Sequence, residues 1–389
     1  MDENKKSHLI MVIVLLLVFL LVSSLFLGPM MDFLYGSWGS KRVYPEKADF
    51  TIERVVDMRN TGGSGLEYNL TMARPYNISG NNIQYIDGSD WNIQPTVYKQ
   101  YDSEWNAWNG ELAPDESEEI RINYDVRTTT VSWNYTAEDS ATVDDIPAYL
   151  KERYNKNQWQ LDEDRDGDGQ DDWMIQPDHP EIESLAESIV EGEDNIYDKS
   201  KAISDWIDDN IEYELGRSSQ LPQHAAWVLE DGRGDCDEQS FLYASLSRAV
   251  GIPAWMELGV LYDRGGDRWG GHGWIRTHIV GENGNGGWVN IDLVNDQFYF
   301  RDSLRLTTWV DDGGEDHIEE FYKYISWRGN GPGARLEVED SIEDKKMETE
   351  GRVVVRNGLA IPGFRIWVAV PALICSIIIY SIRKRKKNC

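Results

Sequence analysis

The sequence predicts an α+β protein in which a β-sandwich precedes a second domain of helices followed by strands. Two patterns support this prediction. Residues 45–140 alternate apolar with polar side chains in short runs, whereas apolar residues between positions 180 and 250 recur at helical spacing. The alternating pattern returns after Pro253. Helices and strands in separate parts of a chain are typical of the α+β class.

The predicted sandwich is built from short strands separated by turns. Alternating runs at Phe50–Val56, Leu66–Met72 and Ile120–Val126 are divided by clusters of Gly, Asn, Asp and Ser. This spacing is typical of an antiparallel, immunoglobulin-like sandwich over residues 45–140. Its tryptophans favour the core over a glycan-stacking face. Three glycosylation sequons fall in the same domain, at Asn69, Asn77 and Asn134.

Both ends of the chain carry apolar runs that predict transmembrane helices. Residues 9–27 are 19 uncharged residues, and residues 366–382 are 17 more, followed directly by five basic residues. Basic flanks stay in the cytoplasm, so both termini are expected there and residues 30–363 outside. The sequence thus predicts a multi-pass protein of the cell membrane. The first run could instead be a cleaved signal peptide.

The net charge of −30 limits the partners that the chain could bind. A strongly acidic surface repels nucleic acid, so we expect no nucleic-acid partner. Such a surface suits a salty exterior or a basic substrate, although simple solubility explains it as well.

A short acidic segment, residues 162–172, predicts a calcium-binding loop. Calcium prefers oxygen ligands at alternate positions and a glycine at the sharp turn, which Gly169 supplies. The segment resembles the short loops of thrombospondin type 3 and dockerin-like proteins. A solvated acidic linker is the alternative. The ligands expected for a structural Ca²⁺ are Asp164, Asp166, Asp168, the Gln170 carbonyl and Asp172.

Cys236 is expected at the first turn of a buried helix. Asp235 can cap this helix, and Gly251 and Pro253 can end it. The helix macrodipole favours a thiolate at this position. With Cys375 and Cys389 in or beyond the second span, Cys236 is the only cysteine expected outside. It is either a reactive thiol or a small buried side chain.

Cysteine catalysis needs a base and a group that orients the base. His272 lies near the start of a predicted strand, and Asp292 ends the next one across a hairpin. Neighbouring antiparallel strands can bring such side chains into contact. His278 is a rival base on the same strand face, while Asp235 and Asp237 would oppose thiolate formation.

The order of these motifs resembles the transglutaminase-like core of papain-like cysteine enzymes. The motifs are Gly234-Asp-Cys236, Arg248-Ala-Val-Gly-Ile-Pro-Ala254, His272-Gly-Trp274 and Trp288 four residues before Asp292. The resemblance implies a catalytic domain over residues 178–305, with a helix-borne cysteine packed on an antiparallel sheet. It also implies that Cys236 is the nucleophile, His272 the base and Asp292 the orienting residue.

Together these features predict a membrane-anchored extracellular cysteine acyl-transfer enzyme. Its expected substrates are extracellular or cell-envelope proteins, which it would crosslink, deamidate or cleave through a Cys236 thioester. Residues 311–363 read as a stalk that joins the enzyme to the second span. The alternative is a non-catalytic surface adhesion or scaffold protein that calcium stiffens.

Overall fold

A computed structural model describes residues 41–161, 172–215 and 222–356 of the chain. The strands are β1 (Lys41–Tyr44), β2 (Lys47–Asn60), β3 (Leu66–Ala73), β4 (Gln84–Trp91), β5 (Thr96–Gln100), β6 (Ser103–Leu112), β7 (Ser117–Thr129), β8 (Val131–Ser132), β9 (Gln158–Gln160), β10 (Trp173–Ile175), β11 (Glu212–Tyr213), β12 (Arg233–Gly234), β13 (Ala254–Asp263), β14 (Arg268–Val280), β15 (Gly286–Asp292), β16 (Gln297–Phe298), β17 (Phe300–Arg301), β18 (Arg305–Val310), β19 (Ile325–Gly329), β20 (Leu336–Glu350) and β21 (Val353–Arg356). The helices are α1 (Ala148–Tyr154), α2 (Pro180–Ile189), α3 (Ile196–Asn210), α4 (Ala225–Asp231), α5 (Cys236–Ala249) and α6 (His317–Tyr322).

The described chain forms two units. Residues 45–352 make one, and the antiparallel pair of β1 and β21 belongs to the other. Within the larger unit, two four-stranded antiparallel sheets form a sandwich, in the orders β19-β3-β6-β5 and β20-β2-β7-β4. Alternate residues of β2, β3 and β7 point inward and share one hydrophobic core, as in other sandwiches.

The sandwich takes two strands from the segment for which the sequence predicts a stalk. Strand β19 pairs with β3, and β20 pairs with β2 along its whole length. Most side chains of β20 are exposed and charged. A charged edge strand discourages pairing with other chains, but it also lacks the apolar alternation by which a strand is recognised in sequence. The sandwich is therefore larger than residues 45–140 and closes only late in the chain.

A five-stranded antiparallel sheet in the order β16-β15-β14-β13-β18 lies in the chain between sandwich strands β7 and β19. Helix α5 packs against β13 and β14 and contacts α2, α3 and α4 on its other sides. The predicted cap of this helix is confirmed, because the Asp235 side chain accepts hydrogen bonds from two backbone N–H groups. Gly251 follows the helix with a φ of 86°, a conformation that glycine adopts without strain.

The two parts of the larger unit share apolar contacts. Val260, Trp269, Leu304 and Leu306 of the five-stranded-sheet region lie in the sandwich core. The Trp269 ring is 4.8 Å from that of Phe50 on β2. Burial of these side chains couples the sandwich to the sheet that carries His272.

Two sequence predictions need correction. The described residues are mostly β, with 47% in strands and 23% in helices, so the α+β class is wrong; the long β2, β7 and β20 account for much of the difference. The multi-pass membrane topology is also wrong for this part of the chain, in which no helix is long and apolar enough to cross a membrane. Its longest helix, α3, has 15 residues and exposes polar side chains on one face. The predicted spans at 9–27 and 366–382 lie outside the described residues.

Candidate active site

Cys236 is the first residue of helix α5. Asp235 Oδ1 accepts hydrogen bonds from the N–H groups of Asp237 and Glu238, and Glu238 Oε2 accepts one from the N–H of Asp235. This capping box satisfies three of the backbone donors at the helix start. The Cys236 N–H has no acceptor among the described residues, so it is available to a ligand oxygen.

Acidic neighbours surround the Cys236 thiol. Its Sγ donates a hydrogen bond to Asp237 Oδ1 over 3.6 Å. Burial, followed by the charges of Asp237 and Asp235, raises the pKa of Cys236 well above its usual value, while a hydrogen bond from the Gly273 N–H lowers it. The macrodipole of α5, which favours a thiolate, is therefore outweighed, and the resting thiol is neutral.

His272 on β14 contacts Asp292 at the end of β15. Its Nε2 lies 2.9 Å from Asp292 Oδ2. An ionised carboxylate can only accept a hydrogen bond, so Nε2 carries the proton in this contact. This assignment leaves Nδ1 of the neutral ring as the atom able to take a proton.

Three groups donate to the same oxygen of Asp292. Besides His272, Asn295 Nδ2 and Arg305 Nη2 each lie 3.0 Å from Oδ2. Burial alone would raise the pKa of Asp292, but the charges of His272 and Arg305 and the hydrogen bonds from His272 and Asn295 hold it well below its usual range. Asp292 therefore stays ionised, although its side chain is almost fully buried.

The structure brings His272 and Asp292 into direct contact and places Cys236 beside the residue that follows His272. The thiol hydrogen bond runs to Asp237 rather than to His272. Burial raises the pKa of both Asp235 and Asp237, and the charge that His272 carries when protonated offsets part of this rise, which places the imidazole near the start of α5.

His278, the rival base, lies further along β14. It stands opposite Trp288 on β15, and its backbone N–H bonds the Pro253 carbonyl. Burial lowers its pKa. The Asp292 carboxylate bonds His272 and not His278.

Three further residues belong to this site, and none of them was singled out from the sequence. Tyr213 on β11 pairs with Gly234, two residues before Cys236, and is 47% exposed. Burial, followed by the negative charges that groups near the start of α5 carry when ionised, raises the pKa of Tyr213 to about 12. Asn295 and Arg305, which both follow Asp292 in the chain, donate hydrogen bonds to its carboxylate. Asn295 could have been found from the sequence because it lies three residues after Asp292. No sequence pattern points to Arg305.

The predicted calcium ligands fall almost entirely outside the described residues. Asp164, Asp166, Asp168 and Gln170 all lie in the segment that the structure leaves out, and Asp172 lies at its edge with a buried side chain. The Leu161 N–H bonds the Asp172 carbonyl over 2.8 Å, and β9 pairs with β10. The predicted loop therefore joins the two strands of a hairpin whose ends are held together.

Comparison with known proteins agrees with this geometry. Residues 183–293 match the family model of the transglutaminase-like superfamily. The matched segment includes helix α5 and the whole of strands β13, β14 and β15. No curated protein matches the chain's sequence.

Among solved structures, the chain is similar to a candidate cysteine protease from Cytophaga hutchinsonii. The two share 16% sequence identity with a TM-score of 0.53, over 80% of this chain and 96% of that one. At this identity the similarity shows the fold alone. The periplasmic domain of TgpA from Pseudomonas aeruginosa also matches, at 12% identity and a TM-score of 0.29, over 63% of this chain and 87% of that one.

Proposed function

We propose that this chain, which contains a transglutaminase-like superfamily domain at residues 183–293, is a cysteine acyl-transfer enzyme. One observation carries the proposal. His272 Nε2 lies 2.9 Å from Asp292 Oδ2, and the Asp237 oxygen that accepts the hydrogen bond of the Cys236 thiol lies against Gly273, the residue after His272. A thiol at the start of helix α5, an imidazole on β14 and a carboxylate at the end of β15 thus support the roles of nucleophile, base and orienting group that covalent catalysis requires.

In the first half-reaction the Cys236 thiol gives its proton to His272 Nδ1, and Sγ attacks the carbonyl carbon of the acyl donor. The Cys236 N–H, which has no acceptor among the described residues, supports the negative oxygen of the tetrahedral intermediate. The intermediate then expels ammonia or an amine, which leaves with the proton from His272. A thioester at Cys236 and a neutral imidazole result.

In the second half-reaction His272 takes a proton from water or from an amine, and the oxygen or nitrogen attacks the thioester. The Cys236 thiolate leaves and recovers the proton. With a glutamine amide as donor, an amine acceptor gives a crosslink and water gives deamidation. With a peptide bond as donor, water gives proteolysis. We propose proteins as substrates, because each of these donors is a protein group.

A second candidate function is a non-catalytic scaffold, and one observation favours it. The thiol is neutral and hydrogen-bonded to Asp237 rather than to His272. A thiol in that state is a weak nucleophile. The two candidates differ in whether His272 activates Cys236.

Acylation by 4-nitrophenyl acetate separates these candidates. The enzyme should release nitrophenol in a burst and carry an acetyl group on Cys236, identified by mass mapping of the Cys236 peptide. Cys236→Ala should abolish the burst, and His272→Ala should slow acylation at least roughly 100-fold. His278→Ala is the matched control and should react like the wild type. If His272→Ala acylates Cys236 at the wild-type rate, the enzyme proposal is lost and the scaffold function stands.

A further inference from the structure

A buried network of charges lies beneath Asp292. It contains three arginines and three carboxylates, which balance in charge, and it spans β13, β14, β15, β17 and β18. Its members are Glu257, Arg276, Asp292, Arg301, Asp302 and Arg305, each no more than 6% exposed. Burying so many charged side chains costs solvation free energy unless each forms an ion pair or a hydrogen bond. Such a cluster inside a compact domain therefore calls for a functional explanation.

Arg305 is the member of this network that touches Asp292. Its Nη2 lies 3.0 Å from Asp292 Oδ2, 2.9 Å from Asp302 Oδ2 and 2.8 Å from Gln297 Oε1. Asp302 and Gln297 thus hold the same guanidinium nitrogen that donates to Asp292. The position of Asp292 is in turn fixed by a group that cannot move without breaking two other buried contacts.

Trp274 links Arg305 to His272 a second time. The Arg305 guanidinium carbon lies 4.9 Å from the centre of the Trp274 ring. The His272 ring stacks on the same indole, with centres 5.7 Å apart and planes at 27°. Arg305 and His272 therefore share two neighbours, the carboxylate and the indole, and a displacement of Arg305 disturbs both supports of the imidazole.

We propose that Arg305 is a positioning residue of the Cys236 reaction, which holds the Asp292 carboxylate ionised and directed at His272 Nε2. This inference rests on the proposed acyl-transfer function. Of the three donors to Asp292 Oδ2, one is the His272 imidazole and one is the Asn295 amide. Arg305 supplies the guanidinium among them. Asp292 Oδ1 is buried and has no hydrogen-bond partner among the described residues. Loss of Arg305 would leave Oδ2 with two donors, and Oδ1 has none in the described part of the chain to compensate.

Arg305 also limits how strongly Asp292 attracts a proton on His272. The positive guanidinium offsets part of the carboxylate charge felt by the imidazole. Without it, the Asp292 carboxylate would act on the imidazole with its full negative charge, and the pH dependence of acylation should change. A merely structural arginine would not change this property, so the pH dependence of acylation separates the two roles.

Arg301 provides a matched control. It is fully buried in the same network, but Nη2 bonds Thr307 Oγ1 at 3.0 Å, and its Nε lies 4.0 Å from Glu257 Oε1. Arg301 makes no contact with Asp292 or His272. Replacing either arginine removes one buried positive charge, and only one replacement removes a contact to Asp292.

The experiment measures the acylation rate of Cys236 by 4-nitrophenyl acetate against pH, together with thermal unfolding, for Arg305→Gln, Arg301→Gln and Arg305→Lys. We expect Arg305→Gln to slow acylation roughly 10- to 100-fold, as for misplaced catalytic groups, and to move the acid limb of the profile to higher pH. Arg301→Gln should lower the melting temperature similarly, yet keep the position of the acid limb. Arg305→Lys, which retains the charge, should return the acid limb to its wild-type position.

Equal effects of Arg305→Gln and Arg301→Gln on rate and acid limb would overturn the proposal, since both would then be structural. If Arg305→Gln does not fold, Asp302→Asn decides, because it removes the charge that fixes the Arg305 guanidinium and leaves Arg305 itself in place: a slowed rate at a wild-type melting temperature supports the proposal, and a wild-type rate overturns it. If His272→Ala acylates normally, the proposed function itself has failed. If His272→Ala is slow but the arginine variants match each other, only the role of Arg305 is lost.

Discussion

The Asp237 carboxylate occupies the space in which a side chain at Gly273 would begin. A Cβ atom built on Gly273 overlaps Asp237 Oδ1 and comes within 3.2 Å of Leu258 and Met256. The same Oδ1 accepts the hydrogen bond of the Cys236 thiol. The absence of a side chain at position 273 is therefore what lets Asp237 reach the thiol.

Gly273→Ala should force Asp237 away from this position. Overlap with a well-packed neighbour costs about 1 to 3 kcal/mol, so the free energy of unfolding in urea should fall by that amount. Gly271→Ala on the same strand is the control, because nothing lies within 4 Å of a Cβ built there. In an Asp237→Ala background the cost at Gly273 should largely vanish. An unchanged cost in that background would show that Leu258 and Met256, rather than Asp237, cause the conflict.

Asp237→Asn should make Cys236 more reactive. The charge of Asp237 helps to raise the pKa of the thiol, so its removal lowers that pKa and increases the thiolate fraction at neutral pH. We expect alkylation by iodoacetamide to be roughly 3- to 10-fold faster. Glu187→Gln removes an equal charge from the exposed face of α2 and should leave the rate unchanged. A slower reaction in Asp237→Asn would mean that the carboxylate assists the thiol.

Asp237 should also make stability depend on pH. Burial, followed by the charge of Asp235, raises the pKa of Asp237 from 3.8 to about 6. A carboxyl group with a raised pKa in the folded state contributes stability below its unfolded pKa and loses it as pH rises through the folded pKa. Wild-type stability should therefore decline between about pH 4 and pH 6 relative to Asp237→Asn. Parallel curves for the two proteins in urea unfolding across this range would contradict the assignment.

Gln84 should matter for stability although it lies in the sandwich, far along the chain from the active site. Its side-chain amide accepts from the Thr307 N–H at 2.7 Å and donates to the Thr307 carbonyl at 2.8 Å, as a neighbouring strand would. Gln84→Met leaves both groups of edge strand β18 unpaired and should cost roughly 2 to 4 kcal/mol. Gln160→Met, at an exposed position, should cost little. Both proteins should unfold in one transition, and separate transitions would disprove the coupling of sandwich and sheet.

Calcium should bind the loop at residues 162–172. We expect calorimetric binding that Asp166→Ala abolishes, because this carboxylate stands at a central ligand position. Asp178→Ala, beyond the loop, is the control and should bind as the wild type does. Binding that persists unchanged in Asp166→Ala would place the calcium elsewhere or in another register of the loop.

The local features of the site could be predicted from the sequence because they depend on neighbours in the chain. The cap at Asp235, the helix that begins at Cys236 and the strands that carry His272 and Asp292 all follow from periodicity and turn residues. The stalk prediction shows where this reasoning stops. Strand β20 is charged and half-solvated, so nothing in its composition reveals that it pairs with β2, nearly 300 residues earlier.

By itself, then, the sequence determined the identity and order of the chemical groups: a helix-borne thiol, a histidine and a carboxylate across a hairpin. Only the tertiary structure decided the protonation and orientation of those groups. Asp237 turns toward the thiol because Gly273 leaves room for it, and Arg305 reaches Asp292 from β18, a strand placed by the sheet rather than by its own sequence. The physical reason is that charges act through space in a buried, weakly screened interior, where distance along the chain has no bearing on their strength.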